Sequence, residues 1–135
     1  MRHSMLTATT ALAALTILVL AGCGVGAAGP EAKISETTDK YFRALSSRDT
    51  TKACAQLTAR ARRAFDPSCS AAMEKIATRV GTDRLAHAAD EGSSISVDGS
   101  SGSATPKGLN GVRLGLVAAE PNWLIDSGFA LEDRQ

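Results

Sequence analysis

His87 and three cysteines are the side chains whose chemistry could support nucleophilic, redox or metal-binding functions. A serine or cysteine nucleophile needs a base beside it, and after His3 the sequence offers His87 alone. His87 stands between alanines in a helical stretch, where a surface or half-buried structural role is the more frequent one. No phosphate-binding glycine loop and no zinc or calcium spacing occurs. The sequence therefore predicts no catalytic set, no metal site and no cofactor.

The first 22 residues have the three parts of a bacterial signal peptide. Arg2 gives a positive start, and Met5–Leu20 is an uncharged apolar stretch that leads into Ala21, Gly22 and Cys23. This ending resembles the lipobox of bacterial lipoproteins, in which a lipid is attached to the cysteine thiol and the chain is cut before it. An uncleaved membrane anchor is the alternative, but this threonine-diluted stretch falls short of the roughly 20 apolar residues that span a bilayer.

Three segments follow from this motif. Residues 1–22 are expected to be removed as a signal peptide, and Cys23 is expected to carry a lipid that holds the protein on the extracytoplasmic face of the cell membrane. Residues 23–31, rich in glycine and alanine, are expected to form a flexible tether. Residues 32–135 then form one small domain.

Cys54 and Cys69 remain once Cys23 is assigned to the lipid. Two cysteines in an exported protein favour a disulfide, and their spacing of 15 closes a loop worth roughly 3 kcal/mol in the chain-entropy model. A redox pair usually holds its cysteines two residues apart, and zinc would need two further ligands beside them. The sequence therefore predicts a structural Cys54–Cys69 disulfide.

The charge balance argues against nucleic-acid binding. The full chain has 15 basic and 14 acidic side chains. Arg2 is the one charged side chain in residues 1–22, so their removal leaves 14 basic and 14 acidic side chains. Nucleic-acid-binding domains are usually strongly basic. Arg60, Arg62 and Arg63 form a local basic cluster that could contact an acidic partner or lipid headgroups, although a solvated helical face is the more frequent meaning of so short a run.

The hydrophobic pattern predicts helices first and strands afterwards, an α+β fold with the helices packed on one face of an antiparallel sheet. The expected helical segments cover residues 32–45, 50–57, 58–65, 68–80 and, more weakly, 83–90. Asp49 or Thr50 and then Thr58 are expected helix caps, and Asp66-Pro67 an expected helix end. The expected strands are 95–97, an edge strand at 102–106, 112–118 and 123–126, with 128–131 either extending the last one or pairing again.

The order of several short motifs resembles the small NTF2-like (cystatin-like, cone-shaped) lipoproteins common in actinobacteria. The motifs are Tyr41-Phe42-x-Ala44-Leu45, Arg48-Asp49, Ala53-Cys54-x-x-Leu57, a second cysteine, a Val-Asp-Gly strand end and Trp123-x-Ile125-Asp126. The resemblance implies a long helix across a curved antiparallel sheet, with a pocket at the open end of the cone. The side chains that it places at this pocket are Tyr41, Phe42, Trp123 and Asp126. The sequence departs from the family in having fewer and shorter predicted strands, which predicts a smaller pocket.

Three functions remain open on these grounds, one of which is a purely structural envelope component that contacts another protein through the arginine cluster. The anchor, the neutral charge and the missing catalytic set favour a non-catalytic envelope module that binds a small apolar ligand or another envelope protein. The alternative is an NTF2-like isomerase or dehydratase acting on an apolar metabolite. The resemblance implies a pocket aspartate or histidine as its base, beside tyrosines, which leaves Asp126 or His87 with Tyr41. Trp123 equally fits a core position, and Asp126 could instead bond to backbone at the end of its strand.

Overall fold

A computed structural model describes residues 29–65 and 67–132. The predicted signal peptide, Cys23, the tether up to residue 28, Asp66 and the last three residues lie outside this described part. The helices are α1 (Pro30–Ser46), α2 (Thr50–Ala55), α3 (Ala59–Arg63), α4 (Cys69–Val80) and α5 (Thr82–Glu91). The strands are β1 (Ser93–Asp98), β2 (Ser101–Pro106), β3 (Leu114–Ala119) and β4 (Asn122–Ser127). The predicted α+β class, with helices preceding an antiparallel sheet, is confirmed.

Helix α1 is the longest element and packs against both the other helices and the sheet. It begins at Pro30, two residues before the expected start. Proline suits the first helical position because its φ is already helical, and because an N–H at that position would have no partner inside the helix. Its buried face includes Ile34, Tyr41 and Leu45 at helical spacing. Thr37 donates a hydrogen bond from Oγ1 to the Trp123 carbonyl oxygen at 2.7 Å, which fixes α1 to β4.

Helices α2, α3 and α4 begin at side-chain caps, whereas α5 begins directly after Gly81. Asp49, Thr58 and Ser68 each accept a hydrogen bond from the backbone N–H three residues further on. These bonds satisfy N–H groups that have no partner inside the helix. Gly81, with φ of 94°, separates α4 from α5, and Gly92, with φ of 74°, ends α5. Both glycines adopt a left-handed conformation that other residues reach only at a cost.

The sheet is a four-stranded antiparallel meander in the order β1-β2-β3-β4. Alternating residues of the strands face the helices and form the core, among them Ala104, Leu114, Leu116 and Ile125. The tight turn expected at Asp98-Gly99 joins β1 to β2.

The prediction that residues 102–106 form an edge strand is wrong, because β2 lies between β1 and β3. The low apolar content of β2 reflects close packing under α1. A Cβ atom on Gly102 would lie 2.6 Å from Ile34 Cδ1 and 2.9 Å from the Ser96 carbonyl oxygen. Small residues are therefore required in an interior strand at this place.

The chain after β4 forms no further strand within the described residues. Residues 128–130 turn back towards the helices, and Leu131 reaches a buried position with φ of 53°. The predicted strand at 128–131 does not form because Gly128, with φ of 73°, leaves the extended conformation immediately after β4. No helix in residues 29–65 or 67–132 has the length and apolar character needed to cross a membrane.

Candidate functional site

Cys54 and Cys69 form the disulfide that their spacing predicts. Their sulfur atoms are 2.07 Å apart and their Cα atoms 6.1 Å apart. Cys54 is buried near the end of α2, whereas Cys69 is half-buried at the first residue of α4. The bond therefore ties two helices on either side of α3 and limits how far this helical layer can open.

Asp126 is held by two side chains that approach from α3 and its cap. Thr58 donates from Oγ1 to Asp126 Oδ1 at 2.7 Å, and Arg60 donates from Nε to the same oxygen at 3.2 Å and from a second nitrogen to Oδ2. Thr58 is placed here because its backbone N–H donates to the Ile125 carbonyl oxygen at 2.9 Å. The hydrogen bond from Arg60, helped by that from Thr58, lowers the pKa of Asp126, which keeps the carboxylate ionised and weakens it as a base.

Of the candidate pocket residues, Tyr41 and Phe42 occupy the core, whereas the largely buried Trp123 also lines two surface grooves beside α1. Tyr41 and Phe42 have no exposed surface and Trp123 keeps 5%. The Tyr41 hydroxyl donates to the Phe129 carbonyl oxygen at 2.5 Å and lies 3.6 Å from Met73 Sδ. Burial raises the pKa of Tyr41, so its hydroxyl stays protonated. Among the described residues, no hydrogen bond joins Tyr41 to Asp126.

His87 lies on the exposed side of α5. Its Nε2 atom is 3.0 Å from Glu91 Oε1, one helical turn further on. Of the basic cluster, Arg60 is engaged with Asp126, while Arg62 and Arg63 project from the exposed face of α3. Neither His87 nor this cluster lies beside an enclosed space among the described cavities.

A cleft of about 340 Å³ opens where α4, α5, the β2–β3 loop and the chain after β4 meet. We call it the arginine cleft; its lining residues are Arg79, Val80, Arg84, Leu109, Val112, Leu131 and Glu132. Four of these side chains are aliphatic, two are guanidinium groups and one is a carboxylate. The space lies at the lower end of the size range of small-molecule sites, which combine apolar walls with a few polar groups.

Two hydrogen bonds hold the C-terminal wall of the arginine cleft in place. The buried Tyr41 hydroxyl binds the Phe129 carbonyl oxygen, and Arg79 donates to the Ala130 carbonyl oxygen. Leu131, the next residue, is 5% exposed and has a left-handed φ of 53°. That conformation is unfavourable for leucine and persists where the surrounding structure enforces it, often at ligand sites.

The arginine cleft lies at the end of the sheet opposite to the start of α1. Pro30 and Lys33 line a surface groove together with Gly99 and Glu120, which lie in the β1–β2 and β3–β4 turns. Leu109, by contrast, comes from the β2–β3 loop at the other end of these strands. A six-residue strand spans roughly 20 Å. The chain therefore enters the domain on the side away from the cleft.

None of the residues that line the arginine cleft is recognisable as a site residue from the sequence alone. Arg79 and Arg84 were overlooked because they lie in different helices and are separated by the glycine break at Gly81. Two arginines that flank a helix break are a usable signal, since the break can turn both towards one space. Leu109, Val112 and Leu131 come from loops, where hydrophobic periodicity gives no information.

No protein-family model matches the chain, and comparisons with curated proteins and with solved structures give no significant match. In residues 29–65 and 67–132, no group of three or more histidine, cysteine, aspartate or glutamate side chains is placed to hold a metal ion. Within that part of the chain, the arginine cleft is thus the place whose shape and side chains best fit a binding function.

Proposed function

We propose that this chain is the precursor of a lipoprotein that presents a small, non-catalytic ligand-binding domain on the extracytoplasmic face of the cell membrane. The lipid is carried by Cys23 after removal of residues 1–22. The observation that carries the binding function is the arginine cleft, a concave space with aliphatic walls and two arginines. The domain itself is proposed to be NTF2-like, with support from the long α1 packed across an antiparallel sheet.

The position of the cleft supports the combination of anchor and binding site. Six residues lie between Cys23 and Pro30, so the seven steps of the chain keep the lipid within about 25 Å of the start of α1. The cleft is at the opposite end of the strands. A domain tethered in this way has its cleft on the side away from the attachment point, which leaves the cleft open to the aqueous phase.

Lipidation is tested by labelling with a fatty acid in a lipoprotein-processing host. We expect the wild-type chain to incorporate the label, to lose residues 1–22 and to be cleaved by protease added to spheroplasts. Cys23→Ala should remain unlabelled and unprocessed. Cys69→Ala is the matched control, because it removes a cysteine that the lipid does not use. Equal labelling of wild type and Cys23→Ala would exclude the proposed anchor.

Ligand binding in the cleft is tested by thermal stability, since a ligand that binds only the folded state raises the unfolding temperature. Val80→Trp places a larger side chain in the wall of the cleft, whereas Val97→Trp changes a half-buried valine of β1 outside it. Small molecules that stabilise the wild type should lose this effect in Val80→Trp and keep it in Val97→Trp. Equal loss in both folded variants, or in neither, would contradict binding at this site.

A further inference from the structure

We propose that the arginine cleft binds a short aliphatic carboxylate from the aqueous phase. This inference rests on the proposed binding function and specifies its ligand class. It differs from the apolar ligand that the sequence predicts, because the walls of the cleft combine cationic and aliphatic side chains.

The two guanidinium groups define the charge of the ligand. Arg79 lies in the last turn of α4 and Arg84 in the first turn of α5, and the left-handed Gly81 between the helices allows both to line one space. Arg79 uses one donor on the Ala130 carbonyl oxygen. Among the described residues, Arg84 makes no ion pair and no side-chain hydrogen bond. A guanidinium fork matches the two oxygens of a carboxylate.

The remaining walls define the body of the ligand. The aliphatic part of the lining consists of the half-buried Val80 and of the edges of Leu109, Val112 and Leu131, which are each 5% exposed or less. None of the described lining residues is aromatic. The only polar lining side chain besides the two arginines is Glu132. A nucleotide or sugar would find neither a ring to stack on nor a set of hydroxyl and amide partners. A short alkyl group would contact Val80 and the edges of these buried side chains.

Size and net charge narrow the ligand further. Among the described residues, two arginines and one glutamate give the lining a net charge of +1, which a single carboxylate would neutralise. A space of about 340 Å³ limits the ligand to a short chain. The left-handed Leu131 in the wall independently marks this segment as one whose conformation is enforced by its surroundings.

The test uses the mature, lipidated protein in phospholipid nanodiscs and three probes of equal chain length: hexanoate, 1-hexanol and hexylammonium. Binding is followed by the methyl NMR signals of Leu109, Val112 and Leu131, with the Ala118 methyl at the other end of the sheet as internal reference. We expect hexanoate to bind about tenfold more tightly than 1-hexanol, since a hydrogen bond to a charged group contributes at least that factor. Hexylammonium should bind more weakly than either.

Substitution of Arg84 tests how much its positive charge, as opposed to the shape of the cleft, contributes to hexanoate binding. Arg84→Gln should weaken hexanoate binding about tenfold without changing 1-hexanol binding. Arg84→Lys keeps the charge but lacks the guanidinium fork, so its affinity for hexanoate should lie between those of wild type and Arg84→Gln. Arg62→Gln is the matched control, because Arg62 is an exposed arginine of α3 that does not line the cleft. Arg79 is left intact, since it also holds the Ala130 carbonyl.

The outcomes distinguish this inference from the proposed function. Equal affinity for hexanoate and 1-hexanol, unaffected by Arg84→Gln, would overturn the carboxylate assignment and leave a binding cleft in place. Methyl shifts with a leucine-terminated peptide and none with hexanoate would overturn the small-molecule class. Absence of cleft shifts with all of these probes, together with failure of the thermal test, would overturn the binding function as well.

Discussion

Asp126 accepts hydrogen bonds from Thr58 and Arg60, which lower its pKa below the ordinary value of 3.8. A carboxyl group with a lowered pKa in the folded state stabilises the protein above its unfolded pKa, and this contribution is lost as the pH falls through the folded pKa. The contribution of Asp126 is therefore present at neutral pH and disappears in acid below its lowered pKa. Its side chain is 23% exposed, so solvent screening limits the size of the effect.

We expect Asp126→Asn to lower the free energy of unfolding by about 0.5–1 kcal/mol at neutral pH and to have little effect at about pH 2. Urea denaturation at both pH values measures this. Asp90→Asn is the matched control, because Asp90 pairs with Arg43 where both side chains are largely exposed, and it should change stability less than Asp126→Asn. A loss in Asp126→Asn that persists unchanged in acid would contradict an ionic role.

The contacts between candidate site residues differ in how far they can be predicted from the sequence. The pairing of Cys54 with Cys69 follows from counting cysteines, because few alternatives remain after Cys23. The contact of Asp126 with Arg60 spans 66 positions along the chain. Neither residue type nor local spacing encodes that contact, since α3 is placed beside β4 by backbone hydrogen bonds of Gln56 and Thr58 with Ile125.

At the scale of elements, helices with caps and periodic apolar faces were predictable, and strand order was not. Asp49, Thr58 and Gly81 mark helix ends by local chemistry that a sequence shows directly. Strand β2 was wrongly predicted at the edge of the sheet because its glycine and alanine suggest that it contributes no core residues. Their small size instead accommodates α1, and this depends on Ile34, which lies 68 positions before Gly102 in the chain.

Gly102→Ala tests this packing of α1 against β2. The added Cβ would meet Ile34 Cδ1 at 2.6 Å, and we expect a loss of about 1–3 kcal/mol in the free energy of unfolding. Ile34→Val removes the Cδ1 atom and costs about 0.5–1.5 kcal/mol alone. In the double variant the losses should sum to less than the two separate effects. Strict additivity would contradict the close approach.

The disulfide gives a second prediction for the helical layer. Reduction of Cys54–Cys69 should lower the free energy of unfolding by about 3 kcal/mol, because the closed loop of 15 residues restricts the unfolded chain. Denaturation of the oxidised and reduced protein measures the difference. The Cys54→Ala/Cys69→Ala variant serves as control, and its stability should not respond to reductant. A difference of less than about 1 kcal/mol would contradict a stabilising role.

At the scale of the whole molecule, the arginine cleft combines residues from two helices, a loop and the chain after β4. No stretch of sequence contains this combination, which explains why residue patterns led to the α+β class without revealing the cleft. The N-terminal lipobox-like motif, by contrast, can be recognised in a few consecutive residues. The lipid anchor is thus predicted from local sequence, whereas the arginine cleft is recognisable only in the folded structure.

The most direct test of the account is the non-reducing intact mass of the protein extracted from membranes of a lipoprotein-processing host. We expect a chain that begins at a lipid-modified Cys23 and is two hydrogens lighter than its reduced form, as the Cys54–Cys69 disulfide requires. Under native conditions, a small anionic adduct should appear and should be lost in Arg84→Gln. An unmodified chain that still begins at Met1 would contradict the proposed lipid anchor at Cys23.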